Sequence, residues 1–227
     1  MGEVITNLPV ASIVFFILFF VSSIAEVVFG LIENDKIRKI VKPFCLFFLS
    51  LAVLLANPNR FLSIFLGLLF GNIGDILLIF KEKKICLYLG IVSFFINHVF
   101  FIIFSLTLQQ LNMVYITFVV FYVALIIGSF LPLKKLTKST KIGVFGAIYS
   151  ATIILDVILL ITCCGVGKWN YMYFGLIGGL LFICSDTLLT YTIFIKKVKR
   201  QEGYIMLTYL LAEFLISIGY IFTVTLS

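Results

Sequence analysis

The chain has 227 residues, 63% of them hydrophobic and 12% charged, with a mean hydropathy of +1.24 and a formal net charge of +7. A soluble domain carries about 25% charged residues, so this composition excludes a soluble globular enzyme and makes lipid the solvent for most of the chain. The basic balance needs no nucleic-acid partner, because the charge pattern along the chain accounts for it.

The first apolar run, 8–30, follows the N-terminus MGEVITNLPV, which has no basic n-region and no small-residue cleavage site. It reads as a retained helix rather than a signal peptide. Seven further runs follow, at 40–56, 61–80, 85–107, 112–133, 141–162, 171–196 and 204–226. About 20 apolar residues cross a bilayer as a helix. The expectation is an all-α polytopic membrane protein with eight transmembrane helices, forming a single membrane domain over 1–227. The breaks between runs are too short for a soluble domain, so an active site must lie within the bundle or at its mouth.

Charge sets the orientation. Assigning the breaks alternately to two sides puts 15 basic residues on one side, from Lys36, Arg38, Lys39 and Lys42 through to Lys196, Lys197, Lys199 and Arg200, and leaves Arg60 and Lys168 on the other. That asymmetry is a positive-inside signal. It expects both termini outside or in the lumen: in the endoplasmic reticulum or plasma membrane of a eukaryote, or the inner membrane of a bacterium. The lipid bilayer is the expected partner, with some attraction to anionic lipid. Oligomeric state is not legible. The five cysteines, Cys45, Cys86, Cys163, Cys164 and Cys184, have no C-x-x-C spacing and read as small apolar packing residues. One His and few carboxylates make a poor zinc set, so no metal and no cofactor are expected.

Against this apolar background the ionisable residues inside spans stand out: Glu26, Asp75, His98, Asp156, Asp186 and Glu213. Such residues cost roughly 2.5–3.5 kcal/mol on insertion scales, face a cavity and mark function. Counting at 1.5 Å per residue from the basic side places Asp75 about 8 Å deep, Asp186 about 15 Å and Glu213 about 14 Å. Lys42 sits at the basic mouth of the second helix, with Pro43 expected near that helix's first turn. Lys42, Asp75, Asp186 and Glu213 are therefore expected to share a cavity open to the basic side, with His98 at its floor. Glu26 is close enough to the boundary to snorkel. Asp156 lies toward the opposite face, where Lys168 or a polar helix contact is the expected partner.

Spacing adds neighbours. Asn72 and Asp75, three apart, share a helix face, as do Tyr209 and Glu213, four apart. Tyr149 stands two turns from Asp156. Gly71 and Gly74 permit close approach to Asp75. LLFGNIGDILL (68–78) and LLFICSDTLL (180–189) echo one another through LLF, an Asp and LL, which points to two four-helix halves with Asp75 and Asp186 as mates.

In this order, Lys42-Pro43, Gly74-Asp75, His98 before VFFIIF, Ser185-Asp186 and TYLLAE (208–213) resemble the YhhN-like, transmembrane protein 86 family over helices 2 to 8. Members of that family are lysoplasmalogenases. The resemblance implies hydrolysis of the vinyl ether bond of a lysoplasmalogen, a lysophospholipid, to a fatty aldehyde and a glycerophospho-amine. Two positions depart from the pattern: Glu213 stands where the family usually has Gln, and Phe101 where a Tyr often follows the His.

The residues suit that chemistry. A vinyl ether is hydrolysed by protonating its β-carbon, and water captures the resulting oxocarbenium ion. This needs a carboxylic acid that keeps its proton, a second carboxylate, and a cation for the phosphate. Burial and a neighbouring carboxylate both favour the protonated acid. Asp75 and Asp186 are the expected pair, with either as the acid and His98 as a relay. Lys42, Asn72, Tyr149, Ser185, Tyr209 and Glu213 are the expected substrate contacts. The alternatives are a structural Asp75 paired with Lys42, a proton-coupled transporter, and a non-catalytic lysolipid-binding protein.

Overall fold

A computed structural model describes residues 8–109, 115–166 and 171–226. They form eight helices: α1 (Val10–Leu31), α2 (Asp35–Ala56), α3 (Pro58–Leu78), α4 (Lys84–Gln109), α5 (Tyr115–Thr137), α6 (Thr140–Val166), α7 (Met172–Phe194) and α8 (Gln201–Leu226). Among the described residues there is no strand. All the helices except α5 meet the length and hydropathy of a membrane span over their described residues. The protein is an all-α polytopic membrane protein, as its composition predicts.

The largest boundary differences lie at the basic end. α2 starts five residues before its apolar run because Asn34 caps it, its side chain accepting from the Ile37 N–H at 3.4 Å. Lys36, Arg38 and Lys39 then extend the helix without adding hydropathy, since long charged side chains are good helix formers. Pro43 accordingly lies in the helix interior rather than near the first turn. Between α2 and α3 only Asn57 remains, because Pro58 takes the first helical position, where its missing N–H is no loss. The α1–α2, α5–α6 and α7–α8 turns each use one left-handed residue, Glu33, Lys138 and Arg200. The Arg200 N–H donates to the Glu33 carboxylate at 2.9 Å, which ties the first of these turns to the last.

Neighbouring helices pack in the order α1, α2, α3, α4, α6, α7, α8 and back to α1, which closes a ring. α5 stands outside it, against α6. The two sequence halves therefore contribute unequally, four ring helices from the first and three from the second, unlike two equivalent halves. Small residues bring the helices close where lipid supplies no hydrophobic drive. A Cβ on Gly30 of α1 would lie 2.7 Å from Gly203 of α8, and one on Gly178 of α7 the same distance from the Ala212 carbonyl of α8. α8 is the most buried of the spans. The outer faces of α1, α2 and α7 are apolar and exposed, as lipid-facing surfaces are.

Candidate active site

The ring turns its polar residues inward. Lys42 from α2, Asn72 and Asp75 from α3, Asn97 and His98 from α4, Asp156 from α6, Ser185 from α7, and Tyr209 and Glu213 from α8 are all buried. Asp186 differs. It is only half-buried, because its side chain borders a cleft.

At the basic mouth, Arg38 joins three carboxylates: Glu26 at 3.1 Å, Asp35 at 3.0 Å and Glu202 at 3.0 Å. Lys81 holds Glu202 from the other side at 2.6 Å. Glu26 does not snorkel to the surface; it is fully buried and Arg38 compensates its charge. One layer deeper, Lys42 Nζ lies 3.3 Å from Asp75 Oδ1. Lys42 is thus engaged by a carboxylate rather than standing free at the mouth.

Below this pair the contacts cross the ring. The Asn97 amide donates to Glu213 Oε1 at 2.8 Å. The Tyr209 hydroxyl sits beside the Asp75 carboxyl and that of Tyr149 beside Asp186, neither closing a hydrogen bond of good geometry. Gly71 faces the same interior: a Cβ there would meet Asn97 Nδ2 at 3.1 Å and the Tyr209 hydroxyl at 3.4 Å. Gly74 instead admits the Phe94 ring at 2.8 Å, so it serves helix packing. Glu213 lies within electrostatic reach of Asp75, Asp156 and Asp186.

His98 is not the floor of the Lys42–Asp75 cavity. Its Nδ1 lies 2.8 Å from Asp156 Oδ2, with both side chains 1% exposed. Of the two partners expected for Asp156, this is the polar helix contact. The other expected partner, Lys168, lies outside the described residues. Ser185 donates its hydroxyl to the Ile205 carbonyl at 3.1 Å, a tie between α7 and α8. Asn97 escaped the sequence reading, although it was the one amide adjoining the one histidine.

Two cavities meet in this interior. The first is a polar pocket of about 20 Å³, bordered by Lys42, Asp75, Lys81, Ser185, Glu202 and Tyr209. That is room for one water molecule. The second is an apolar cleft of about 440 Å³ among the basic ends of α3 to α7, lined by residues such as Leu87, Ile91, Leu133, Gly146, Ile153 and Ile183. Leu78, Phe94, Asp186 and Leu189 border both. Asp75 and Asp186 thus face one polar pocket, while Asp186 alone of the two also faces the cleft. Among the described residues, no three His, Cys, Asp or Glu side chains cluster as a metal site.

This arrangement offers an acid at a boundary between water-like and oil-like spaces. The sequence model of the YhhN family matches residues 37–220, which is most of the chain, and the protein belongs to that family. No curated protein and no solved structure gives a significant match.

Proposed function

Starting from its membership of the YhhN family, we propose that the protein is a hydrolase cleaving the vinyl ether bond of lysoplasmalogens. The products are a fatty aldehyde and glycerophosphocholine or glycerophosphoethanolamine. The observation that carries this reading is the position of Asp186, on the wall shared by the polar pocket and the apolar cleft. A lysoplasmalogen is divided in the same way, with a charged head group, a long chain, and the vinyl ether where the two meet.

In this reading the chain fills the cleft, the polar pocket holds the one water it has room for, and the head group stays at the basic mouth of the ring. Lys42 and Lys81 face the phosphate as point charges. Asp186 protonates the β-carbon of the vinyl ether, leaving positive charge shared between the α-carbon and the ether oxygen. Asp75 supplies a second carboxylate to that charge. Water then bonds to the α-carbon, and the hemiacetal collapses to aldehyde and alcohol. The rings of Phe94 and Phe182 each meet that of Tyr209 edge to face and limit the water that enters.

The cleft lies among helix ends flanked by Lys134, Lys135 and Lys141. With the basic side cytoplasmic, both termini face outside or the lumen, and the lipid is drawn from the cytoplasmic leaflet.

The test is aldehyde release from a lysoplasmalogen by the purified protein in detergent, beside Asp186→Asn. The wild type should release aldehyde and the variant should lose at least about a hundredfold, the low end for a general acid. A proton-coupled carrier or a non-catalytic lysolipid-binding protein releases none in detergent, where no gradient exists. Undiminished release by Asp186→Asn removes Asp186 from the chemistry.

A further inference from the structure

The apolar cleft is a wedge between α6 and α7. Away from the basic side these helices touch: a Cβ on Gly179 would lie 2.9 Å from Val157 Cγ2, and one on Gly175 3.3 Å from Leu160 Cδ2. Toward the basic ends the cleft opens between them. Its α4 wall is closed, since Leu87 and Phe94 are buried. Its α7 wall is not. Thr187, Tyr191 and Ile195, spaced four residues apart, line the cleft and are exposed, Tyr191 to 39% and Ile195 to 57%. They continue a stripe down α7 at helical spacing, through exposed Ile177, Leu180 and Cys184. That stripe faces lipid. Across the opening stand Leu133 and Leu136 of α5, a helix packed against α6 outside the ring, with none of its described side chains, 121–137, buried. The cleft is therefore continuous with the lipid-facing surface between α5 and α7. Both edges end in charge: Leu133 and Leu136 bracket Lys134-Lys135, and Ile195 precedes Lys196-Lys197, all four lysines exposed.

We propose that this opening is a lateral portal for a single-chain phospholipid from the leaflet on the basic side, whose chain passes between α5 and α7 while the lysine pairs hold its phosphate. The proposal rests on the hydrolysis reading above for what then happens to the lipid. By this route the chain moves from hydrocarbon to hydrocarbon, and no methylene crosses water. The rim does not oppose it: the Thr187 hydroxyl donates to the Ile183 carbonyl of its own helix at 2.7 Å, so its polar group is already satisfied. The head group keeps to the basic surface throughout, where lysine pairs on either edge meet its negative charge. The wedge admits one chain. Its 440 Å³ lies in the lower part of the range of ligand cavities, about 300–1,000 Å³, and it closes toward the glycine contacts of α6 and α7. A second chain on the same lipid would be left at the threshold, against the Tyr191 ring. Tyr191 is thus the residue that sets the width of the portal and selects single-chain lipids.

The chain contains one tryptophan, Trp169, so Trp169→Phe with Leu136→Trp places a lone fluorophore at the cleft. Ile17→Trp, on the exposed face of α1, is the control. Both proteins are reconstituted in phosphatidylcholine vesicles with increasing lysophosphatidylcholine that carries a dibrominated acyl chain. This probe quenches tryptophan on contact and has no vinyl ether to cleave. Quenching at Leu136→Trp should saturate at low mole fraction and reverse with unbrominated lysophosphatidylcholine, while at Ile17→Trp it should rise in proportion to mole fraction. Thr187→Trp, on the other edge, gives the same reading if Leu136→Trp does not fold. Dibrominated two-chain phosphatidylcholine should quench Leu136→Trp no more than Ile17→Trp, and adding Tyr191→Ala should raise that quenching at least twofold. Lys196→Gln with Lys197→Gln should move the midpoint for the lysolipid at least threefold higher. Proportional quenching at the cleft, or none, overturns the portal. Saturable quenching by the two-chain lipid overturns the selection, and an unmoved midpoint in the lysine variant overturns the phosphate contact. Quenching needs no turnover. Saturable quenching without aldehyde release therefore overturns the hydrolysis reading alone, and aldehyde release without saturable quenching overturns the portal alone.

Discussion

The ammonium of Lys42 lies 3.3 Å from Asp75 Oδ1, and both side chains are enclosed by the helix ring. The pair joins α2 to α3 beneath the Arg38 cluster, and Asp75 Oδ2 has no hydrogen-bond partner among the described residues. A buried pair of this kind stabilises little compared with an apolar pair, but losing one member leaves a bare charge.

Lys42→Met is therefore expected to destabilise the protein by about 3–5 kcal/mol. The double variant Lys42→Met, Asp75→Leu should regain most of that loss. Denaturant titration of the purified protein measures both. Additive losses in the double variant would show that the two charges do not depend on one another.

Gly146 borders the apolar cleft, and the nearest atom a Cβ there would meet is Leu133 Cδ1, at 3.6 Å. A bulky side chain has room to enter the cleft without displacing the helix. Gly146→Phe should raise KM for long-chain substrates and spare short-chain ones, with stability nearly unchanged. Steady-state kinetics over a chain-length series reads this directly. An equal effect at every length places the chain elsewhere.

Gly178 and Gly128 make a controlled contrast. At Gly178 a methyl would sit 2.7 Å from the Ala212 carbonyl oxygen and 2.9 Å from the Ile216 nitrogen, both backbone atoms that cannot move aside. At Gly128, on α5 outside the ring, a Cβ would meet nothing within 4 Å among the described residues. Gly178→Ala should cost about 1–3 kcal/mol, the usual price of overpacking, and Gly128→Ala should be neutral. Thermal unfolding in detergent compares them, and similar losses for the two would contradict the close α7–α8 contact.

Much of the fold was legible because it is a matter of solvent. Apolar runs of about 20 residues must be helices in lipid, where each backbone group needs an internal partner. Basic residues gathered at one set of helix ends mark the same ends in the structure, at the Arg38–Glu202–Lys81 cluster. Runs read by hydropathy alone still missed the start of α2, whose first turns are charged yet helical. The inward residues were legible as a list, since an acid in hydrocarbon needs a reason. Tyr209 and Glu213 share the inward face that their spacing predicts.

The partners within that list were decided by tertiary structure. Helix rotation and the order of packing turn on side-chain volumes across several interfaces, and no local pattern encodes them. Hence His98 meets Asp156 from α6, Asn97 reaches Glu213 across the ring, and Glu26 finds Arg38 rather than water. The exclusion of α5 from the ring, which leaves the halves unequal, is of the same kind. The sequence by itself determined what must be helical, which ends are basic and which residues lipid will not tolerate. Only the packed ring decided which acid faces the cleft, because facing is a property of the space between helices.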